Sequence, residues 1–222
     1  MKITRFKLFV LIFFYFGLTV LHSQTVKDIS GNIYNTVTIG TQTWMKEDLK
    51  TTKYRNGDPI SNVTDNKQWS ELTTGAYCDY NNTPAYRTAY GRLYNWYAVD
   101  DSRNLCPTGW HVPTDAEWST LLTYLGDVNI AGGKLKDSGQ RYWNSPNTGA
   151  DNSSGFTALP NGYRFNDGGD FDEVGYKGNW WSSTAYDSKN AKYKMLAHNE
   201  KKVFNLSYDK SSGFSVRCLL DK

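Results

Sequence analysis

Three cysteines, Cys78, Cys106 and Cys218, carry the most reactive chemistry in this chain. Three pairings are open, and each leaves one thiol over. Cys106–Cys218 is the favoured pair, because Leu105–Trp118 and Gly213–Cys218 both read as ordered core. That bond would close a loop of more than a hundred residues, a constraint worth about 4–5 kcal/mol in the chain-entropy model. Cys78 would then be a buried free thiol. No histidine or basic residue flanks it in sequence to lower its pKa.

Two histidines follow residue 23, His111 and His198. The chain has no His-Glu-x-x-His, Cys-x-x-Cys, Gly-x-Ser-x-Gly or phosphate loop. His111, set between Trp110 and Val112, reads as a structural hydrogen-bonding group, and His198 as a solvated turn residue. Asp167, Asp170, Asp172 and Glu173 surround Gly168-Gly169. Hard oxygen ligands in a glycine-rich loop can hold calcium, which makes Asp167, Asp170 and Asp172 the candidate metal ligands. Their spacing is not that of an EF-hand, and a solvated acidic turn is the simpler reading. Paired carboxylates for glycoside hydrolysis stay open at this stage, because their separation in space is not readable from spacing along the chain.

Tyr142, Trp143, Tyr163, Phe165, Trp180, Trp181 and Tyr186 fall in or beside a loop-rich half. Exposed together, such rings form a stacking platform for a glycan or protein. Trp143, Tyr163, Trp181 and Tyr186 are the candidate ligand-binding residues. Trp180 and Trp181 start a strand, so one ring should face inward and the other outward. At least one of them is expected in the core.

The ends set the compartment. Lys2, Arg5 and Lys7 precede an apolar run from Leu8 to Leu21, with Leu21 and Ser23 at the −3 and −1 positions of a cut before Gln24. This is the layout of a secretory signal over residues 1–23. The run is shorter than the roughly 18–20 apolar residues of a membrane span, and no cysteine at the cut offers a lipid anchor. A secreted or periplasmic protein follows, with no membrane attachment after cleavage. Removing the signal takes away three bases and no acids, leaving 22 of each charge. A neutral chain lacks the basic patch that nucleic acid or an anionic membrane surface requires. The remaining 199 residues suffice for one domain, 24–222. With four residues after Cys218, no appended sorting domain is expected. All eight tryptophans lie in this part while aliphatics are sparse, so large amphipathic rings must build the core.

These elements must position the chemistry. Residues 24–50 predict a hairpin turning at Gly40–Thr43, and 75–80 a strand within irregular loops. A short helix is read within Tyr90–Val99. The helix at 115–125 is the best specified. Thr114 and Glu117 form a capping box, Trp118, Leu121, Leu122 and Leu125 make one apolar stripe, and Gly126 is placed to end it. A second short helix or a turn starts at Ala131. Residues 139–179 read as loops, with strands only at Phe156–Pro160 and Gly162–Arg164. Antiparallel strands then follow at 180–184, 191–196, 202–208 and 214–218.

The motifs Val37–Met45, Gly91–Trp96, Cys106–Trp118, Trp180–Thr184 and Gly213–Cys218 occur in order over nearly the whole exported chain. They resemble the Fibrobacter succinogenes major paralogous domain, a family of bacterial secreted proteins without an established activity. His111–Trp118 is similar to the Arg-Leu-Pro-Thr-Glu-Ala-Glu-Trp motif of sulfatase-modifying, formylglycine-generating enzymes, and Gly213–Arg217 to their final strand. Cys106–Trp110 resembles the opening Cys-Pro-x-Gly-Trp of C-type lectin domains. The resemblance implies an α+β, loop-rich, C-type-lectin-like fold with short antiparallel strands and one or two helices. Its N- and C-terminal parts close together, which a Cys106–Cys218 bond fits. Neither activity carries over. The enzymes need a pair of neighbouring cysteines late in the chain, where only Cys218 stands. Ser145-Pro146-Asn147 and Trp143-Asn144-Ser145 lack the carboxylates of the calcium-dependent sugar motifs.

The function expected is non-catalytic recognition of a glycan or extracellular protein through loops 139–179, with calcium optional. The alternatives are an enzyme related to the sulfatase modifiers, using Cys78 or Cys218 as a reactive thiol, and a structural envelope protein without a small ligand.

Overall fold

The computed structural model describes residues 24–222, and the signal read over residues 1–23 lies outside the described residues. The chain opens with β1 (Thr25–Lys27), β2 (Ile33–Ile39) and β3 (Gln42–Met45). It continues through β4 (Ser61–Asn62), α1 (Asn66–Ser70), β5 (Ala76–Cys78), α2 (Pro84–Tyr90), β6 (Leu93–Tyr94) and α3 (Trp96–Val99). Then come β7 (Trp110–His111), α4 (Asp115–Tyr124), α5 (Ala131–Leu135), β8 (Asn161–Arg164) and β9 (Phe171–Val174). The last elements are β10 (Lys177–Ala185), β11 (Asn190–Ala197), β12 (Phe204–Asp209) and β13 (Leu219–Leu220). The class is mixed α and β, dominated by sheet, with five short α-helices among the described residues where one or two were expected. The strands form three sheets, ordered β1-β2-β3-β13-β7, β12-β11-β10-β8-β9 and β4-β5-β6.

The expected hairpin forms, with Val37 opposite Trp44 and Ile39 opposite Gln42. Gly40 turns it at φ +62°, and a Cβ there would lie 2.8 Å from the Tyr124 ring. Only glycine meets both demands. Helix α4 has the expected capping box: the Thr114 hydroxyl accepts from the Glu117 amide, and the Glu117 carboxylate accepts from the Thr114 amide. Its stripe of Trp118, Leu121, Leu122 and Leu125 is buried.

Strand β10 is covered on both sides where its two tryptophans lie. Trp180 enters a core with Trp44, Trp118 and Phe156, while Trp181 enters another with Tyr94, Tyr193 and Phe214. Alternation holds, but the expectation of an outward ring fails because each face of β10 meets its own core.

Two further strand expectations are corrected. Phe156–Pro160 makes only one bridge, Ala158 to Lys136. Residues 214–218 are not a regular strand. Phe214 bridges Tyr94, Ser215 bridges Trp180, and the amides of Leu49 and Met45 donate to Val216 O and Cys218 O. This tail stitches the three sheets together, with β13 then pairing β3 and β7. The Cys106–Cys218 disulfide fastens it across 112 residues.

A buried ion pair lies under the tail. Arg217 Nε donates to Asp48 Oδ1 at 2.8 Å, with Nη2 at 2.6 Å, and Trp180 Nε1 donates to the same oxygen at 2.8 Å. Asp48 Oδ2 accepts from Asn161 Nδ2 at 3.0 Å. Both carboxylate oxygens are therefore satisfied, as a buried charge requires.

Candidate functional site

An aromatic pocket opens on one face of the second sheet. Tyr163 comes from β8, Lys177 and Asn179 from β10, Tyr193 and Met195 from β11, Tyr208 from β12, and Phe214 from the tail; together they enclose about 80 Å³. The register explains the gathering. Asn179 lies opposite Met195, and Ala191 opposite Tyr208. Residues two apart share a face, so Met195, Tyr193 and Ala191 present one row.

Phe214 is the centre of the ring cluster. Tyr193 lies 4.5 Å from it, Tyr208 6.0 Å and Tyr163 6.1 Å, with Tyr163 edge-on at 79°. Trp181 backs it from the core at 4.3 Å. Burial pushes the Tyr193 hydroxyl up to about 12. The Tyr163 hydroxyl is also raised, first by burial and then by the negative charges of Asp172 and Glu173. The Tyr163 and Tyr193 phenols are therefore neutral donors and acceptors at ordinary pH.

The pocket floor is held from beneath. The Asn179 amide donates to Asn161 Oδ1 at 2.7 Å, and Asn179 Nδ2 donates to Gly162 O at 3.0 Å. Asn161 in turn is fixed by Asp48, so the buried Asp48–Arg217 pair reaches the pocket through two asparagines. At the rim, Lys177 Nζ is paired with Glu173 at 2.9 Å.

The four aromatic residues singled out from sequence are not one platform. Trp143 and Trp181 are buried in different cores, and their Nε1 groups donate to Ala158 O and Tyr94 O. Tyr186 is 62% exposed but lines a separate pocket with Asp115, Lys192 and Leu206. Tyr163 alone reaches the aromatic pocket. The physical reason is that the loop-rich half needs tryptophan for its own packing.

The acidic segment is also corrected. It is no simple turn: Asp172 and Glu173 belong to β9, and Asp172 lies opposite Tyr163. Asp170 Oδ1 accepts from Asn66 Nδ2, Asp172 Oδ1 accepts from the Glu173 amide, and Asp167 is exposed. Arg164 Nε takes the Gly169 carbonyl. The described residues hold no group of three or more His, Cys, Asp or Glu placed to take a metal.

Neither sulfur named for a reactive role is a thiolate. Cys218 is bonded to Cys106, and Cys78 is buried with its pKa raised to about 12 by that burial, against the lowering effect of nearby Arg164.

The family model of the Fibrobacter succinogenes major domain matches residues 37–219. The chain belongs to this family. No curated protein and no solved structure matches it. In this Fibrobacter succinogenes major domain the matched span contains the whole aromatic pocket, the disulfide and the Asp48–Arg217 pair. The lining residues of the major domain that sequence reasoning missed are Lys177, Asn179, Tyr193, Met195, Tyr208 and Phe214. Tyr193 and Met195 alternate within an evident strand, and Tyr208 ends another. Their shared face was therefore legible, but the strand register that places them beside Tyr163 was not.

Proposed function

We propose that this protein is a secreted or periplasmic, non-catalytic binding module with a C-type-lectin-like fold, recognising a glycan or an extracellular protein. The observation that carries this reading is the aromatic pocket on the second sheet. Its lining combines apolar ring faces with the Tyr163, Tyr193 and Tyr208 hydroxyls, none of which is hydrogen-bonded to another described residue. Small-molecule sites share that composition: apolar walls with a few converging polar groups. A signal over residues 1–23 and a disulfide suit an oxidising compartment. Calcium stays optional in this reading, since no carboxylate lines the pocket.

The test is a glycan array and a peptide array, each run with and without calcium. The Tyr163→Ala and Tyr208→Ala variants should lose whatever the parent protein binds. Silence on both arrays would count against recognition and in favour of a purely structural envelope role.

A further inference from the structure

The aromatic pocket carries more than a general binding role. We propose that it takes one ring of a neutral pyranose, without a metal ion; this inference rests on the recognition reading above.

The charge at the rim selects against ionic ligands of both signs. Lys177 is the ionisable cation in the lining, and its ammonium is already paired with Glu173 at 2.9 Å. Asp172 and Glu173 act on Tyr163 with negative charge. An anion entering beside Tyr163 meets those carboxylates, and a cation meets Lys177. Neither gains an unpaired counter-charge to offset its desolvation.

The remaining chemistry matches a sugar. A pyranose presents C–H faces and equatorial hydroxyls together. The pocket presents the rings of Tyr163, Tyr193, Tyr208 and Phe214 beside phenolic hydroxyls that can donate and accept. Asn179 adds an amide whose Oδ1 accepts no bond from a described residue. The volume of about 80 Å³ is far below that of drug-sized sites, so no more than one ring could seat here, with part of it left in solvent.

Peptide capture by strand addition is disfavoured here. Strands β10 and β11 under the pocket are central in their sheet and paired on both sides. A new strand could therefore add to this sheet only at its edges, β12 and β9.

The test is saturation-transfer NMR on the purified protein in EDTA. The probes are methyl glycosides of glucose, galactose, mannose and N-acetylglucosamine, with glucuronic acid and glucosamine as charged counterparts. Ring protons of at least one neutral glycoside should saturate. Affinity should fall about tenfold or more in Tyr163→Ala and Tyr208→Ala, less in Tyr163→Phe, and not in Tyr186→Ala. Thermal melting checks that each variant folds. If Tyr163→Ala does not, Met195→Lys, which places a charge in the pocket, should abolish the signal instead. Binding of charged sugars alone, or binding only after calcium is added, overturns the inference. Peptide binding that depends on Tyr163, with no sugar bound, overturns it while leaving the recognition reading intact. Absence of any Tyr163-dependent ligand overturns both.

Discussion

Asp48 and Arg217 show what a single buried charge demands. Each is almost fully enclosed, and each survives because the other is there. Removing one partner strands an unpaired charge in low dielectric. Arg217→Met should therefore cost about 3–5 kcal/mol, read by urea denaturation. Replacing Asp48 as well should recover part of that loss. Lys136 faces a different environment. It is buried, and its ammonium donates to the carbonyls of Thr148, Ala197 and Glu200 at 2.8–3.1 Å. Burial holds its pKa down to about 8, against 10.5 for a free lysine. The unfolded chain thus keeps a proton between those values that the folded protein has released. Stability contributed by this residue should rise as pH increases from about 8 to 10.5. The difference in melting temperature between the parent protein and Lys136→Met, followed across that range, checks the sign. Parallel curves would contradict it.

At the scale of elements, local signals and tertiary contacts separate cleanly. Helix α4 is written in its own residues, through the Thr114–Glu117 box and the buried stripe. The neighbouring turn is tied by His111, whose Nε2 meets Glu117 at 3.0 Å and whose Nδ1 meets Asp221 at 2.6 Å. Nothing local announces that second contact, 110 residues away. Helix α5 is the opposite case. Ala131-Gly132-Gly133-Lys134-Leu135 is a poor helical sequence, since each glycine costs about 1 kcal/mol relative to alanine. A Cβ on Gly132 would lie 2.7 Å from Lys202 O and 2.8 Å from Lys201 O. The glycine is there because the turn at 201–202 passes directly over the helix. Gly132→Ala should therefore destabilise the protein by about 1 kcal/mol or more, although helix propensity alone predicts a gain of that size. Chemical denaturation gives the sign directly.

At the scale of the molecule, the C-terminal tail organises the fold. It touches all three sheets, and the disulfide pins it 112 residues from its partner cysteine. The double variant Cys106→Ser, Cys218→Ser should lose about 2–5 kcal/mol. Cys78 supplies an independent check on the same pairing. Burial raises its thiol to about 12, so an aromatic disulfide reagent at pH 8 should find no free thiol in the folded protein and one after unfolding. Two or three reactive thiols in the folded state would refute the pairing. The three-sheet arrangement also explains why the aromatic platform was misread. Trp143 lies in a segment rich in glycine and asparagine, which looks solvated along the chain, and Trp181 on a strand with one face expected outward. In space each fills a separate core between sheets.

The amino-acid sequence by itself determined the family, the hairpin and the capped helix. These rest on spacing along the chain: a period of two or of 3.6, a cap three residues from its partner, and a motif order kept from Val37 to Leu219. Only the tertiary structure decided which aromatic rings are core and which line a pocket. It also decided that Asp172 and Glu173 lie on a strand, and that Asp48 and Arg217 meet. Those outcomes depend on strand register and on contacts between residues as far as 169 apart. A side chain's exposure is set by what folds over it, and local sequence does not carry that information.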